Sequence, residues 1–329
     1  MTPVITKPLL TAVLAAAIAI WPLAPSPATA QPPAAAPVAV GEDPEGTLVE
    51  ELVVSSSLGG PAFWKVSKGD SVVWVLGVPG ALPRGVTWDS RRLEFRLRGA
   101  KALILPPKVK ARPIVITTFI LTHQKDLQGG PPLPAGLQAR LDRNREALGV
   151  KPERLGKWKP GVAGAILAGE LRKPLKLDDD QPMNRILGLA RKAKVKQLRA
   201  GPSIDPMPAV RSLLDLNDPG HQVCLEDALD EVEAGRGRIR SAALGWARGD
   251  VRAALAAERG FDRCLTRLPT LAALSRRGMT DTSGTIARQL NQPGSAIAIV
   301  DMRQLLARGG VLDQLRARGF KVDTPASAG

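Results

Sequence analysis

The hydrophobic pattern predicts strands near the two ends of the chain. Two β-prone segments, 62–66 and 71–78, flank Ser67-Lys68-Gly69-Asp70, which is typical of a hairpin turn. Further short strands are predicted over 100–105, 296–300 and 320–322. The apolar, β-branched run 114–121 fits a strand or the start of a buried helix equally well.

The middle of the chain follows helical spacing. Ser90 is a candidate N-cap for a helix with Leu93 and Leu97 on one face. Helices are predicted over 137–148, 162–171, 183–193, 225–232, 250–258, 281–290 and 310–318, the last ended by Gly319, and a short strand over 195–198. The predicted fold class is therefore α/β. A mixed central sheet is built from the N- and C-terminal parts (60–120 and 295–323), with a large helical insertion between them.

The N-terminus has the features of a secretory signal. One charge, Lys7, precedes an apolar run over 12–21, and Ala28-Thr29-Ala30 offers small residues where a signal peptidase cleaves. The run is shorter than the roughly 20 residues of a spanning helix. We therefore expect a signal peptide (1–30), a Pro/Ala-rich linker (31–45), a folded domain (46–323) and a short tail (324–329). The mature chain is expected in the periplasm or outside the cell, without a transmembrane helix.

The net charge of +15 limits the classes of partner that the chain is expected to bind. Removing residues 1–30 leaves +14, because Lys7 is the only charged residue there, and basic residues are dense over 84–112 and 151–196. One interpretation is a generally basic surface, and another is attraction to an anionic envelope component such as lipid head groups or acidic polysaccharide. Nucleic acid is not expected, because the chain is predicted to be exported, has no Tyr and has only 3% aromatic residues.

No catalytic motif stands out. G-x-S-x-G and the Gly-rich phosphate loops are absent, and we expect no cofactor. His123 and His221 are interpreted as polar loop residues, and His221 with Cys224 is a weak zinc half-site. Asp178-Asp179-Asp180 is interpreted as a solvated acidic run. Cys224 and Cys264 form either a disulfide, the default in an oxidising compartment, or two buried thiols.

Several ordered segments carry a family resemblance. They are Pro61, Trp64, Val66, Gly69, Leu76, Gly77, Leu82 and Pro83 near the start, Lys159-Pro160 and Trp246 with Gly249-Asp250 in the middle, and Gly310-Val311-Leu312, Leu315, Arg318-Gly319 and Val322 at the end. Over about residues 60–323 the chain resembles the TraB/GumN family, which is related to the Tiki metalloproteases.

The resemblance implies a metal site, but this chain departs from it at the ligand positions. Gly77 matches the glycine of the first G-x-x-H motif, but Gly80 stands in place of its histidine. In the second motif, Asp301 stands in place of the glycine and Gln304 in place of the histidine. Pro106 replaces an acid, and Arg199 replaces a glutamate. Glycine and proline offer no donor side chain, and glutamine is a poor neutral one. The site is therefore interpreted as degenerate, with no metal ligands and no catalytic residues.

Three functional hypotheses follow. The leading one is an exported, non-catalytic family member with a binding or structural role in the cell envelope. The first alternative is a metal-dependent hydrolase or protease with a rearranged site that uses Asp301, the acidic run at Asp178 or His123. The second alternative is a basic module that binds anionic lipid or polysaccharide.

Overall fold

The strands are the framework of the protein. The computed structural model describes residues 59–110, 113–178, 181–256, 264 and 267–325. Within them the strands are β1 (Phe63–Lys68), β2 (Ser71–Val78), β3 (Leu82–Pro83), β4 (Ala100–Leu105), β5 (Leu177–Asp178), β6 (Lys196–Arg199), β7 (Gly294–Asp301) and β8 (Lys321–Asp323). The turn at Gly69 and Asp70 joins β1 to β2, so the predicted hairpin is confirmed.

The central sheet has the order β6-β4-β7-β2-β1-β8, and β3 pairs with β5 apart from it. Strands β6, β4, β7 and β2 are mutually parallel, while β1 is antiparallel to both β2 and β8. The predicted mixed α/β sheet from the two ends of the chain is confirmed, and the helical insertion adds β6 at one edge. The middle of β7, Ala296 to Ile299, is fully buried, which explains its unbroken apolar sequence.

The helices cover the sheet and form the insertion. They are α1 (Arg91–Arg98), α2 (Pro113–Thr122), α3 (Ala135–Ala147), α4 (Pro160–Arg172), α5 (Met183–Lys192), α6 (Met207–Arg211), α7 (Asp218–Arg248), α8 (Val251–Leu255), α9 (Pro269–Leu290), α10 (Met302–Leu306) and α11 (Val311–Ala317). Helix α7 is interrupted at Gly235, whose φ of 74° is not helical. No helix in the part of the chain that the structure describes is long and apolar enough to cross a membrane.

Packing decides the structure of the ambiguous apolar run. The ambiguous run 114–121 is a helix, because Ile116, Phe119 and Ile120 of α2 pack against Met207 and Val210 of α6.

Ser90 does precede α1, with Leu93 and Leu97 buried, but its hydroxyl does not cap the helix. Its Oγ donates to Glu94 Oε1 at 2.6 Å instead, and it accepts a hydrogen bond from Arg185 Nη2 at 2.9 Å.

The core has two main parts. The larger lies on the sheet and its covering helices and includes Trp64, Leu76 and Trp246. The smaller lies among α3, α4 and α7 and includes Leu141, Leu167 and Leu229. The insertion therefore brings an apolar cluster of its own.

Candidate functional site

The carboxyl ends of four parallel strands lie at one edge of the sheet. Val78 at the end of β2 pairs with Asp301 at the end of β7, and Leu105 at the end of β4 pairs with Arg199 at the end of β6. In open α/β sheets, ligands bind in the crevice outside this end of the strands. We call these strand ends and the residues directly after them (79–80, 106, 200–201 and 302–304) the carboxyl edge.

The positions of the implied metal site all lie at or beside the carboxyl edge. Gly80 follows β2, Pro106 follows β4, Arg199 ends β6, and Asp301 and Gln304 lie where β7 passes into α10. The sheet order therefore collects residues that are far apart in the sequence.

Asp301 and Gln304 are engaged within the protein. Asp301 is the N-cap of α10, and its Oδ1 accepts hydrogen bonds from the backbone N–H groups of Arg303 at 3.0 Å and Gln304 at 3.1 Å. Gln304 is buried, and its Nε2 donates to Ser275 Oγ on α9 at 3.3 Å. One polar atom of each side chain is therefore bonded within the protein.

The remaining family positions at the carboxyl edge, Gly80, Pro106 and Arg199, have no anionic side chain. Gly80 is exposed and has no side chain, and Pro106 offers only its backbone carbonyl. Arg199 Nη1 donates to that carbonyl oxygen at 3.2 Å, so a guanidinium lies where the resemblance implies an acid. A cation here opposes the binding of a divalent metal.

One carboxylate near this edge escaped sequence reasoning. A Cβ atom placed on Gly201, directly after β6, would lie 2.5 Å from Oδ2 of Asp281 on α9. Asp281 also lies 3.8 Å from Nε of Arg277, one helical turn earlier. The Arg277–Asp281 spacing indicates an ion pair on a helix. Nothing in the sequence near Asp281 indicates that its carboxylate lies close to Gly201.

The glycine of the first motif is held by packing. A Cβ atom on Gly77 would lie 3.1 Å from Cζ3 of Trp64 and 3.2 Å from Cδ2 of Leu305. Its carbonyl oxygen accepts a hydrogen bond from Nε1 of the buried Trp246 at 2.8 Å. Gly77 and Trp246 therefore join β2 to the end of α7.

The other sequence candidates lie elsewhere. Nδ1 of His123 is 3.0 Å from the carbonyl oxygen of Phe119, and the imidazole stacks on the Phe119 ring, in the turn after α2. Asp178 is in β5, and its side chain, like Asp179 and Asp180, is outside the described residues. None of these joins Asp301 in a described site.

The cysteines pair with each other. Cys224 and Cys264 form a disulfide with their Cα atoms 4.4 Å apart. The buried-thiol alternative is wrong for this structure, and so is the zinc half-site, because a disulfide sulfur is not a thiolate ligand.

The interpretation of His221 as a polar loop residue is also wrong. Asn217 caps α7 through its side chain, so Asp218-Pro219-Gly220 is the first turn of a helix. His221 is 2% exposed, and neither ring nitrogen has a hydrogen-bond partner among the described residues. Burial, with a smaller contribution from Lys159, lowers the pKa of His221 to about 4, and Asp218 opposes that shift.

Comparison with known families agrees with this framework. The model of the TraB/PrgY/gumN family matches residues 62–324. The chain belongs to the TraB/PrgY/gumN family. The matched region spans the TraB/PrgY/gumN domain from β1 to the end of β8 and includes the whole carboxyl edge. No curated protein and no solved structure matches the chain.

The residues at the carboxyl edge do not fit the divalent metal that the resemblance implies. Such a metal takes several imidazole or carboxylate ligands from the protein. Across the described ranges, no group of three or more His, Cys, Asp or Glu residues is placed to hold a metal ion. The chain has the TraB/PrgY/gumN scaffold, and Gly80 and Pro106 offer no donor side chain at two of the positions that the resemblance implies.

Proposed function

We propose that this chain is an exported, non-catalytic member of the TraB/PrgY/gumN family with a binding or structural role in the cell envelope. One observation carries the proposal. At the carboxyl edge, Gly80 and Pro106 supply no donor side chain, while Gln304 donates to Ser275. A scaffold without ligands does not supply the chemistry of a metallohydrolase, because function depends on the site rather than on the fold.

The location in the envelope rests on the sequence. Lys7, the apolar run 12–21 and Ala28-Thr29-Ala30 follow the order of a secretory signal. Cleavage after Ala30 would release a mature chain that begins at Gln31. Mass spectrometry of the protein from the extracellular and periplasmic fractions tests this, and an intact Met1 terminus in the cytosol would contradict it.

Metal binding is the decisive test of the non-catalytic role. The mature chain (31–329) is purified without a metal-chelating tag, its metal content is measured by elemental analysis, and it is titrated with zinc, manganese and cobalt. We expect no stoichiometric, tight binding. One tightly bound metal per chain would overturn the proposal, and Asp301→Ala would then show whether the carboxyl edge holds it.

A restored variant sharpens this test. Gly80→His, Pro106→Glu and Gln304→His together return two imidazoles and a carboxylate to the edge, beside Asp301. We expect this variant to bind zinc where the natural chain does not. The matched control carries Gly80→Asn and Pro106→Gln with Gln304 kept, which adds similar volume without strong ligands. Equal zinc binding by the control and the restored variant would refute the assignment of these positions.

The charge distribution favours a second role that is compatible with the first. The basic stretch 84–112 includes the helix α1, with four arginines and one glutamate in eight residues. Such a surface attracts an anionic envelope component.

A further inference from the structure

Helix α1 has one buried side and one strongly basic side. Leu93 and Leu97 pack into the main core, and the remaining positions are Arg91, Arg92, Glu94, Phe95, Arg96 and Arg98. Phe95 is 71% exposed, although an aromatic ring of this size is normally covered. The exposed Phe95 ring within a group of arginines indicates a surface that binds a partner.

Aromatic rings of the sheet hold part of this charge in place. The guanidinium of Arg96 lies 4.5 Å from the ring centre of Phe63 on β1 and 4.0 Å from that of Trp74 on β2. Arg92 lies 5.9 Å from the Phe63 ring, and Lys65 lies 5.9 Å from the Trp74 ring. Stacking orients a guanidinium while leaving its charge in place.

Two neighbouring acids form contacts close to the start of α1. Asp89 forms a bidentate ion pair with Arg91, and Glu94 accepts a hydrogen bond from Ser90. Burial, with a smaller contribution from Arg92, lowers the pKa of Arg96 to about 10. We call Lys65, Arg92, Phe95, Arg96 and Arg98 the arginine face.

The outer part of the arginine face combines an apolar group with a cation. Arg98 lies 5.7 Å from the ring centre of Phe95, and both side chains are exposed. Helices that bind the surface of a membrane combine basic side chains with exposed Phe, Trp or Leu. The arginines would also attract an acidic polysaccharide, but an exposed Phe ring beside a cation matches the combination of side chains found at a membrane interface.

We propose that the arginine face docks on the surface of a bilayer that contains anionic phospholipid, with the arginines at the phosphate groups and the Phe95 ring in the interface. The inference rests on the proposed envelope location, and it does not depend on whether a metal binds.

Vesicle binding tests this proposal. The mature chain (31–329) is sedimented with vesicles of phosphatidylcholine alone and with vesicles that also contain phosphatidylglycerol, at low and high salt. We expect binding to the anionic vesicles only, weakened by salt. Equal binding to both compositions, or no binding to either, would overturn the proposal.

Two pairs of variants locate the surface. Arg98→Glu is expected to weaken binding at least fivefold, because each basic residue near an anionic surface contributes about that factor. Arg143→Glu on α3, an equally exposed arginine, is its control, and we expect a smaller change. Phe95→Ser is expected to weaken binding several-fold, with Ile114→Ser on α2, where Ile114 is 81% exposed, as its control.

The controls also define the contrary outcomes. If Ile114→Ser or Arg143→Glu weakens binding more than its partner, the docking surface is elsewhere and the proposal is wrong. If a soluble acidic polysaccharide binds the chain while anionic vesicles do not, lipid is the wrong partner. Far-UV circular dichroism checks that each variant is folded. The metal titration is a separate readout, so failure here and failure of the proposed function are distinguishable.

Discussion

The close crossing of α4 and α7 gives a quantitative prediction. Gly164 on α4 faces Leu225 and Ala228 on α7. A Cβ atom on Gly164 would lie 2.8 Å from Ala228 Cβ and 3.1 Å from Leu225 Cα. Real Cβ atoms almost never come within 3.0 Å of another heavy atom, and a backbone Cα cannot move aside as a flexible side chain does. Gly164→Ala therefore forces the two helices apart.

The expected loss of stability is the difference of two effects. Alanine in place of glycine in a helix interior stabilises by about 1 kcal/mol. Overpacking a tight contact costs about 1–3 kcal/mol, and contact with backbone places this case in the upper half of that range. The net loss is about 1–2 kcal/mol, which lowers the Tm by about 2–8 °C for a domain of this size class.

A matched glycine isolates the cause. Gly188 lies inside α5, and a Cβ atom there would meet nothing within 4 Å. Gly188→Ala is expected to stabilise by about 0.5–1 kcal/mol. Calorimetry measures both variants, and Gly164→Ala combined with Ala228→Gly should destabilise less than the two single changes added together. If Gly164→Ala raises the Tm as Gly188→Ala does, the close crossing is wrong.

Two further predictions concern buried polar groups. Trp246→Phe leaves the Gly77 carbonyl without its 2.8 Å donor and should cost about 1–3 kcal/mol more in urea unfolding than Trp158→Phe, whose Nε1 has no hydrogen-bond partner among the described residues. An equal loss in both variants would contradict it. The pKa of His221 is about 4 when folded and 6.5 unfolded, so the unfolded chain binds the extra proton and His221 removes stability as the pH falls from about 6.5 to about 4, by on the order of 3 kcal/mol. Stability profiles against pH should therefore be flatter for His221→Leu than for the wild type, and a wild-type slope in His221→Leu would refute this.

Sequence reasoning succeeded where the signals are local. The hairpin at Gly69 and the helix with Leu93 and Leu97 on one face each follow from residues within one short segment. The run 114–121 was ambiguous because β-branched and apolar residues suit either structure, and contacts with α6 decide it. His221 was misinterpreted because Asp-Pro-Gly is as suited to a turn as to the first turn of a helix that Asn217 caps.

At the carboxyl edge, the sequence names the candidate residues, but only the three-dimensional structure shows which of them lie close together. The resemblance named Gly80, Pro106 and Asp301 as site positions, but only strand register places Asp301 beside the end of β2. The approach of Asp281 to Gly201 depends on how α9 lies across the end of β6, which no short segment encodes. Sequence therefore supplies the list of candidate residues, and the sheet order decides which of them meet.

The positions that match the family and the positions that depart from it differ in how tightly they are packed. A Cβ atom on Gly310 would lie 2.5 Å from the carbonyl oxygen of Gln304, so the fold requires glycine there, and the tight contacts with Trp64 and Leu305 favour glycine at Gly77. Gly80, in contrast, is exposed, and no packing in the described structure requires a particular side chain there. Under the proposed non-catalytic role, the first kind of residue is kept for the fold and the second kind is free to change. The restored variant tests that argument at Gly80, which is exposed, whereas its Gln304→His change replaces a buried side chain that donates to Ser275.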